Sequence, residues 1–189
     1  MTRIDRRNAL KAMGAMAGLA AISRTVAMAV EPESHGMTKT LECKIPDALK
    51  AEHEEIHEEL AKVTRLGGKT GEAAQRVARI MDPHFIKEEE MAMPPLGLLR
   101  PLAEGTAKAE MAQVIDLTDR LKKELPTMLK EHQVIVGALG ALIEAAKQED
   151  KPQALQLAER LKHHAKTEEE FLYPAAVLVG EYLKLKLTR

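Results

Sequence analysis

The feature that most constrains this chain is an internal repeat. The segment "HFIKEEEMAMP", His84 to Pro94, aligns without gaps on "HAKTEEEFLYP", His164 to Pro174. Each copy has a histidine, three further residues, three glutamates and a proline four residues beyond them. Upstream, "AEHEEIHEEL" (Ala51 to Leu60) aligns on "KEHQVIVGAL" (Lys130 to Leu139), with Glu-His and then Ile and Leu in register. The first helical region therefore matches the third, and the second matches the fourth. A doubled helical hairpin implies approximate two-fold symmetry. Such symmetry is a natural frame for a two-metal centre, although a repeat can also be purely architectural.

The hydrophobic period supports helices throughout. A first helix is expected from Asp47, as N-cap, to Leu66, stopped by "GGKTG" (Gly67 to Gly71). A second runs from Glu72 to Met93, with Pro83 kinking or restarting it. "PPLGLLRPL" (Pro94 to Leu102) reads as a crossover whose apolar residues pack. A third spans Thr106 to Lys147, bent or split at Pro126, and a fourth runs from Lys151 to Pro174. A short extra helix is expected over residues 175–187. Aromatics make up 2% of the chain and tryptophan is absent, so the core rests on Leu, Ala, Ile, Val and Met, which suits helices better than a sandwich or barrel. The expected fold is all-α: an antiparallel four-helix bundle over residues 47–189 with that short C-terminal helix.

The helical period also turns polar groups inward. In the fourth helix Leu157, Leu161, His164, Glu168 and Phe171 follow steps of four and three, the spacing of one buried face. The second region repeats this with Val77, Met81, His84, Glu88 and Met91. The third gives Leu121, Leu125, Met128, His132, Val136 and Leu139, and the first gives Leu49, His53, His57 and Leu60. His163, Glu169 and Glu170 fall off the stripe and are expected in solvent. Seven polar groups are thus directed to one core: His53, His57, His84, Glu88, His132, His164 and Glu168. Buried carboxylates must be paired, hydrogen-bonded or bound to metal. No lysine or arginine shares these stripes. Any single His-x3-Glu pair reads better as a surface contact between residues one turn apart, but four stripes repeated twice favour bound cations, with Glu88 and Glu168 each able to bridge two ions.

These motifs resemble the hemerythrin-like, His-His-Glu cation-binding family from about His53 to Pro174. The resemblance implies a four-helix bundle around two non-haem iron ions with an oxo or hydroxo bridge, zinc or manganese being alternatives. It implies bridging by Glu88 and Glu168, with His53, His84, His132 and His164 as terminal imidazoles. It also implies a small-molecule ligand, dioxygen or another diatomic, or else redox turnover as a ferroxidase, a peroxidase or a nitric-oxide-handling protein. Metal storage and a structural role are further alternatives. The oxygen-carrying branch has its His-x3-His pair on the third helix. Here the pair is His53 and His57 on the first, and Val136 stands where the third helix would supply the partner. His57 is accordingly expected as a fifth imidazole, and Glu52 or Glu131 as a group that orients one.

The N-terminus is sequence of another kind. Residues 3 to 11, "RIDRRNALK", precede the charge-free "AMGAMAGLAAIS" and a small-x-small site, Ala27-Met28-Ala29. With Arg6-Arg7 ahead of it, this resembles a twin-arginine export signal over residues 1–29, followed by a flexible lead-in over 30–46. A basic amphipathic helix on a cytosolic protein is the alternative. The run is too short and too rich in Gly and Ala to span a membrane stably, so the expected product is a periplasmic protein without a membrane span. The formal charge of -1 and the lack of basic-aromatic stretches argue against nucleic acid as a partner. The single cysteine, Cys43, excludes Cys-rich metal sites. Oligomeric state is left open.

Overall fold

A computed structural model describes residues 43–187. The export segment expected over residues 1–29, most of the lead-in and His35 lie outside the described residues. Residues 43–46 are non-helical and end at Pro46, which occupies the cap position of α1 (Asp47–Thr64). Asp47 is therefore the first helical residue rather than the N-cap, and its carboxylate pairs with Lys44 at 2.7 Å.

α2 (Gly68–Lys87) begins inside the glycine-rich stop rather than after it. Gly67 and Gly68 turn the chain with φ of 70° and 61°. The carboxylate of Glu149 then accepts the free amides of Lys69 and Thr70 at 2.8 and 3.0 Å, the role that an N-cap side chain normally plays. This long-range cap holds Glu149 below the usual carboxylate range, first through the Thr70 amide. A Cβ on Gly68 would lie 2.6 Å from the Glu149 oxygen, so glycine is required there twice over.

After α2 come a π turn (Glu88–Ala92), α3 (Met93–Leu96), α4 (Leu99–Ala103), a 3-10 turn (Ala109–Ala112) and the 36-residue α5 (Gln113–Gln148). α6 (Pro152–Thr167) follows, then a second π turn (Glu168–Leu172) and α7 (Tyr173–Leu187). Neither Pro83 nor Pro126 breaks its helix. Both are exposed, so the carbonyls they leave unpaired face water. Pro94 and Pro174, expected as stops, also sit inside continuous helical chain. Each follows a π turn, in which the amide of Met93 or Tyr173 bonds the carbonyl five residues back, on Glu88 or Glu168. The wider turn leaves room for a proline ring that would clash in a regular helix. The expected separate C-terminal helix is thus the fourth helix continued.

Four long helical segments make a bundle in which α1 touches α2, α2 touches α5, α5 touches α6, and α6 returns to α1. The two-fold relation of the repeat survives as a ring of neighbours, with matched helices on its diagonals. One apolar cluster, including Ile56, Phe85, Ile135 and Leu161, fills one end. A second, including Met91, Leu121, Met128 and Tyr173, lies beyond the conserved-in-repeat glutamates. Leu98, Leu102, Met111, Val114, Val179 and Leu183 close the far end, so the crossover packs as expected. Gly180 lets α7 press on α5, since a Cβ there would stand 1.8 Å from Thr118 Oγ1. No helix among the described residues is long and apolar enough to cross a membrane.

Candidate metal centre

Between the first two apolar clusters lies a polar layer. His53, His84, Glu88, His132, His164 and Glu168 are each no more than 5% exposed. They form two overlapping groups, His53-Glu88-His164-Glu168 and His84-Glu88-His132-Glu168, whose donor atoms lie within 4.8 Å of one another. Both carboxylates belong to both groups. In the first, His164 Nε2 is 3.0 Å from Glu168 Oε1, and His53 Nε2 is 3.7 Å from Glu88 Oε2 and from Glu168 Oε1. In the second, His84 Nε2 is 3.3 Å from Glu88 Oε1 and 2.8 Å from His132 Nε2, which is 3.5 Å from Glu168 Oε2.

Each imidazole is oriented from outside by a different glutamate. Glu89 takes His53 Nδ1 at 3.2 Å, Glu131 takes His84 Nδ1 at 2.9 Å, Glu169 takes His132 Nδ1 at 2.8 Å, and Glu52 takes His164 Nδ1 at 3.2 Å. A carboxylate only accepts, so each Nδ1 carries a hydrogen, and each Nε2 is the ring atom left to face the interior, where it holds a proton or offers its lone pair to a cation. Glu52 and Glu131 do orient imidazoles, but those of the facing hairpin helix rather than of the histidine beside them. Glu169 lies at the rim with its carboxylate on His132, not free in solvent as its place off the stripe suggested. The sequence signal was available: the glutamate following each inner carboxylate is kept in both copies of the repeat.

The donor set fits metal. Two Nε2 lone pairs 2.8 Å apart, on His84 and His132, repel unless a proton or a cation lies between them. His53 Nε2, His164 Nε2, Glu88 Oε2 and Glu168 Oε1 are buried with no hydrogen-bond partner, although some of these atoms are close together. Close, mutually misaligned donors point at a common position instead of at each other. Burial pushes the Glu88 carboxyl up, and the charge of Glu168 pushes it further. Burial acts the same way on Glu168, yet His132, His164 and His53 outweigh it and hold that carboxyl well below its ordinary range. Burial lowers His84, but Glu88 and Glu131 more than compensate and raise it to about 9. Without cations, protons must neutralise this layer; bound cations take over that task.

The sequence profile of the hemerythrin HHE cation binding domain matches residues 44–176. The chain belongs to this family. No curated protein and no solved structure matches it. The hemerythrin HHE bundle here carries a His/Glu cluster able to bind metal, and the structure brings together six of the seven residues expected from the sequence.

His57 is the exception. Its side chain is 44% exposed, its Nδ1 faces Asp82 at 3.7 Å, and its ring meets the edge of Phe85 with centroids 4.9 Å apart. The buried face of α1 runs through His53, Ile56, Leu60 and Val63. The step after His53 is three, not four, so Ile56 takes the inward place and Phe85 packs on the His53 ring at 4.2 Å. The same step in α5 buries Ile135 and leaves Val136 41% exposed. His163 is exposed, and His164 rather than His163 faces Glu168. Phe171, expected on the buried stripe, is 65% exposed: it lies in the π turn that shifts the inward face by one residue, although Met91, in the matching turn, stays buried at 5%. Tyr173 turns inward in its place, with its hydroxyl against Glu88. No stripe of the helical period includes this tyrosine.

Proposed function

We propose that the protein holds two non-haem iron ions between Glu88 and Glu168 and binds dioxygen or another small diatomic ligand there. The observation that carries this reading is the pair of donor groups sharing both carboxylates. Imidazole and carboxylate donors without thiolate suit iron, with manganese and zinc as competitors. When bound, an iron pair supplies redox-active positions that accept small exogenous ligands. The chain's own residues do the rest. Glu88 and Glu168, which belong to both groups, would help hold both ions, and each imidazole would hold one. Glu52, Glu89, Glu131 and Glu169 hold the rings in register and keep each Nδ1 proton on the outer side. Ile56, Phe85, Met91 and Met128 flank the layer with apolar surface and exclude water.

A second reading gains support from the placement of His57. Two ions of about six coordination positions each require about twelve donors. Four imidazoles and two bridging carboxylates supply about eight, fewer than a five-imidazole set. More open positions favour turnover at the same centre, as a ferroxidase, a peroxidase or a nitric-oxide-handling enzyme. Anaerobically reduced, iron-loaded protein exposed to dioxygen separates the two. A spectral change reversed by removing the gas supports binding. Irreversible oxidation with continued consumption of added ferrous iron or peroxide supports the enzyme. A chain purified and reconstituted without retained metal sinks both. We also propose export by a twin-arginine signal over residues 1–29 to the periplasm, supported by Arg6-Arg7 and the Ala27-Met28-Ala29 site.

A further inference from the structure

One further oxygen reaches the centre, and from one side only. Tyr173 is 1% exposed. Its hydroxyl contacts Glu88 Oε1 and lies 3.2 Å from His132 Nε2 and 3.5 Å from His84 Nε2. Its ring stacks on His132, centroids 5.7 Å apart. Neighbouring donors on a six-coordinate ion with bonds of about 2.1 Å stand about 3 Å apart. The phenol oxygen keeps nearly that spacing to both imidazole nitrogens, so it stands where a donor to the same ion would stand.

The other group has no counterpart. The repeat puts Met93 in the place of Tyr173, and a thioether is a poor donor to a hard N,O site. The consequence is visible in the hydrogen bonding. His53 Nε2, His164 Nε2, Glu88 Oε2 and Glu168 Oε1, the partnerless atoms of the layer, all belong to the His53/His164 group. In the His84/His132 group Tyr173 already engages Glu88 Oε1 and both imidazoles. We propose that Tyr173, as a phenolate, is a fifth protein donor to the ion held by His84 and His132, which makes the two metal positions chemically different. This rests on the two-metal reading above. As the oxygen–metal bond forms, the phenol O–H bond breaks and its proton leaves to solvent; no electron moves.

The test is spectroscopic and independent of turnover. Full-length protein is loaded with ferric iron, and its iron content, visible spectrum and resonance Raman spectrum are recorded. The expected result is two irons per chain with a phenolate-to-iron charge-transfer band and enhanced tyrosinate ring modes. The chain has two tyrosines, and Tyr182 lies partly exposed on α7, so Tyr182→Phe should keep the signature. Tyr173→Phe should abolish it while two irons remain bound. Two irons in the wild type without any phenolate signature would overturn the proposal and leave the two-metal reading standing, with Tyr173 only hydrogen-bonded to Glu88. Persistence of the signature in Tyr173→Phe would overturn it as well. A wild type that takes up no iron removes both readings. The wild-type spectrum decides even if Tyr173→Phe does not fold.

Discussion

The hairpin of α1 and α2 and the hairpin of α5 and α6 agree in their histidines, their shared carboxylates and the glutamates that orient the rings, and differ in the other side chains packed against them. His53 and His132 correspond, as do Glu52 and Glu131, His84 and His164, Glu88 and Glu168, and Glu89 and Glu169. Even the crossing pattern is kept: each outer glutamate on α1 or α5 orients an imidazole of the other hairpin, Glu52 that of His164 and Glu131 that of His84. The differences fall elsewhere. Tyr173 faces the layer where the first hairpin has Met93. Phe85 packs on His53 and His164 where the second has Ala165. Lys87 pairs with Glu131, whereas Thr167, in the matching place, bonds the carbonyl of His163. Symmetry is retained by the histidines, the two carboxylates common to both groups and the glutamates that orient the rings, because both positions make the same geometric demand on them. It is lost among groups that set the surroundings of one position and not the other.

The strongest way to break this comparison is to remove a shared carboxylate. Glu88→Ala or Glu168→Ala takes a donor from both groups at once, so both ions should be lost. Saturating metal stabilises a folded protein by about 4 kcal/mol at a free concentration a thousandfold above Kd. That gain, read as the calorimetric shift on metal addition, should vanish in either variant; retention of two ions by one of them would refute sharing. A smaller effect tests the outer layer. Glu131→Gln and Glu52→Gln should each weaken metal binding by about 10- to 100-fold, measured by competition with a chromophoric chelator. Glu131→Gln should cost more, since Glu131 is the less exposed (27% against 39%) and also holds Lys87. The reverse order would mean that the asymmetry does not reach the ions. The smallest effect belongs to His57→Ala, which should leave metal stoichiometry unchanged and stability within about 0.5 kcal/mol. A lost ion would return His57 to the donor set.

What the sequence could show depended on whether an inference rested on spacing alone or on a local departure from it. The bundle and the His84/Glu88 and His164/Glu168 pairs were legible because a residue four positions on lies one turn away in any regular helix. His57 was misplaced because steps of three and four are both allowed after His53. The repeat held the answer in Ile56 and Ile135, apolar in both copies at the step of three. Tyr173 and Phe171 were exchanged because periodicity presumes an uninterrupted screw, and the π turn is not written in composition. The cap from Glu149 to Lys69 and Thr70 was hidden for another reason: the two partners are far apart in sequence, and only the folded chain brings them together.

The two π turns give the bundle a phase offset. One added residue rotates all that follows by about 100° about the helix axis. The stretch before Glu168 and the stretch after Leu172 therefore behave as two screws on one shaft, locked at an angle that neither sets alone. Straightening this second turn into regular α-helix at unchanged length would leave Glu168 and the donors before it in place, yet it would swing Tyr173, Ala176 and Leu183 away from the core and bring Phe171, Leu178 and Leu185 round toward it. The one extra residue held in the π turn, rather than any residue type, thus decides which side chains line that side of the metal layer.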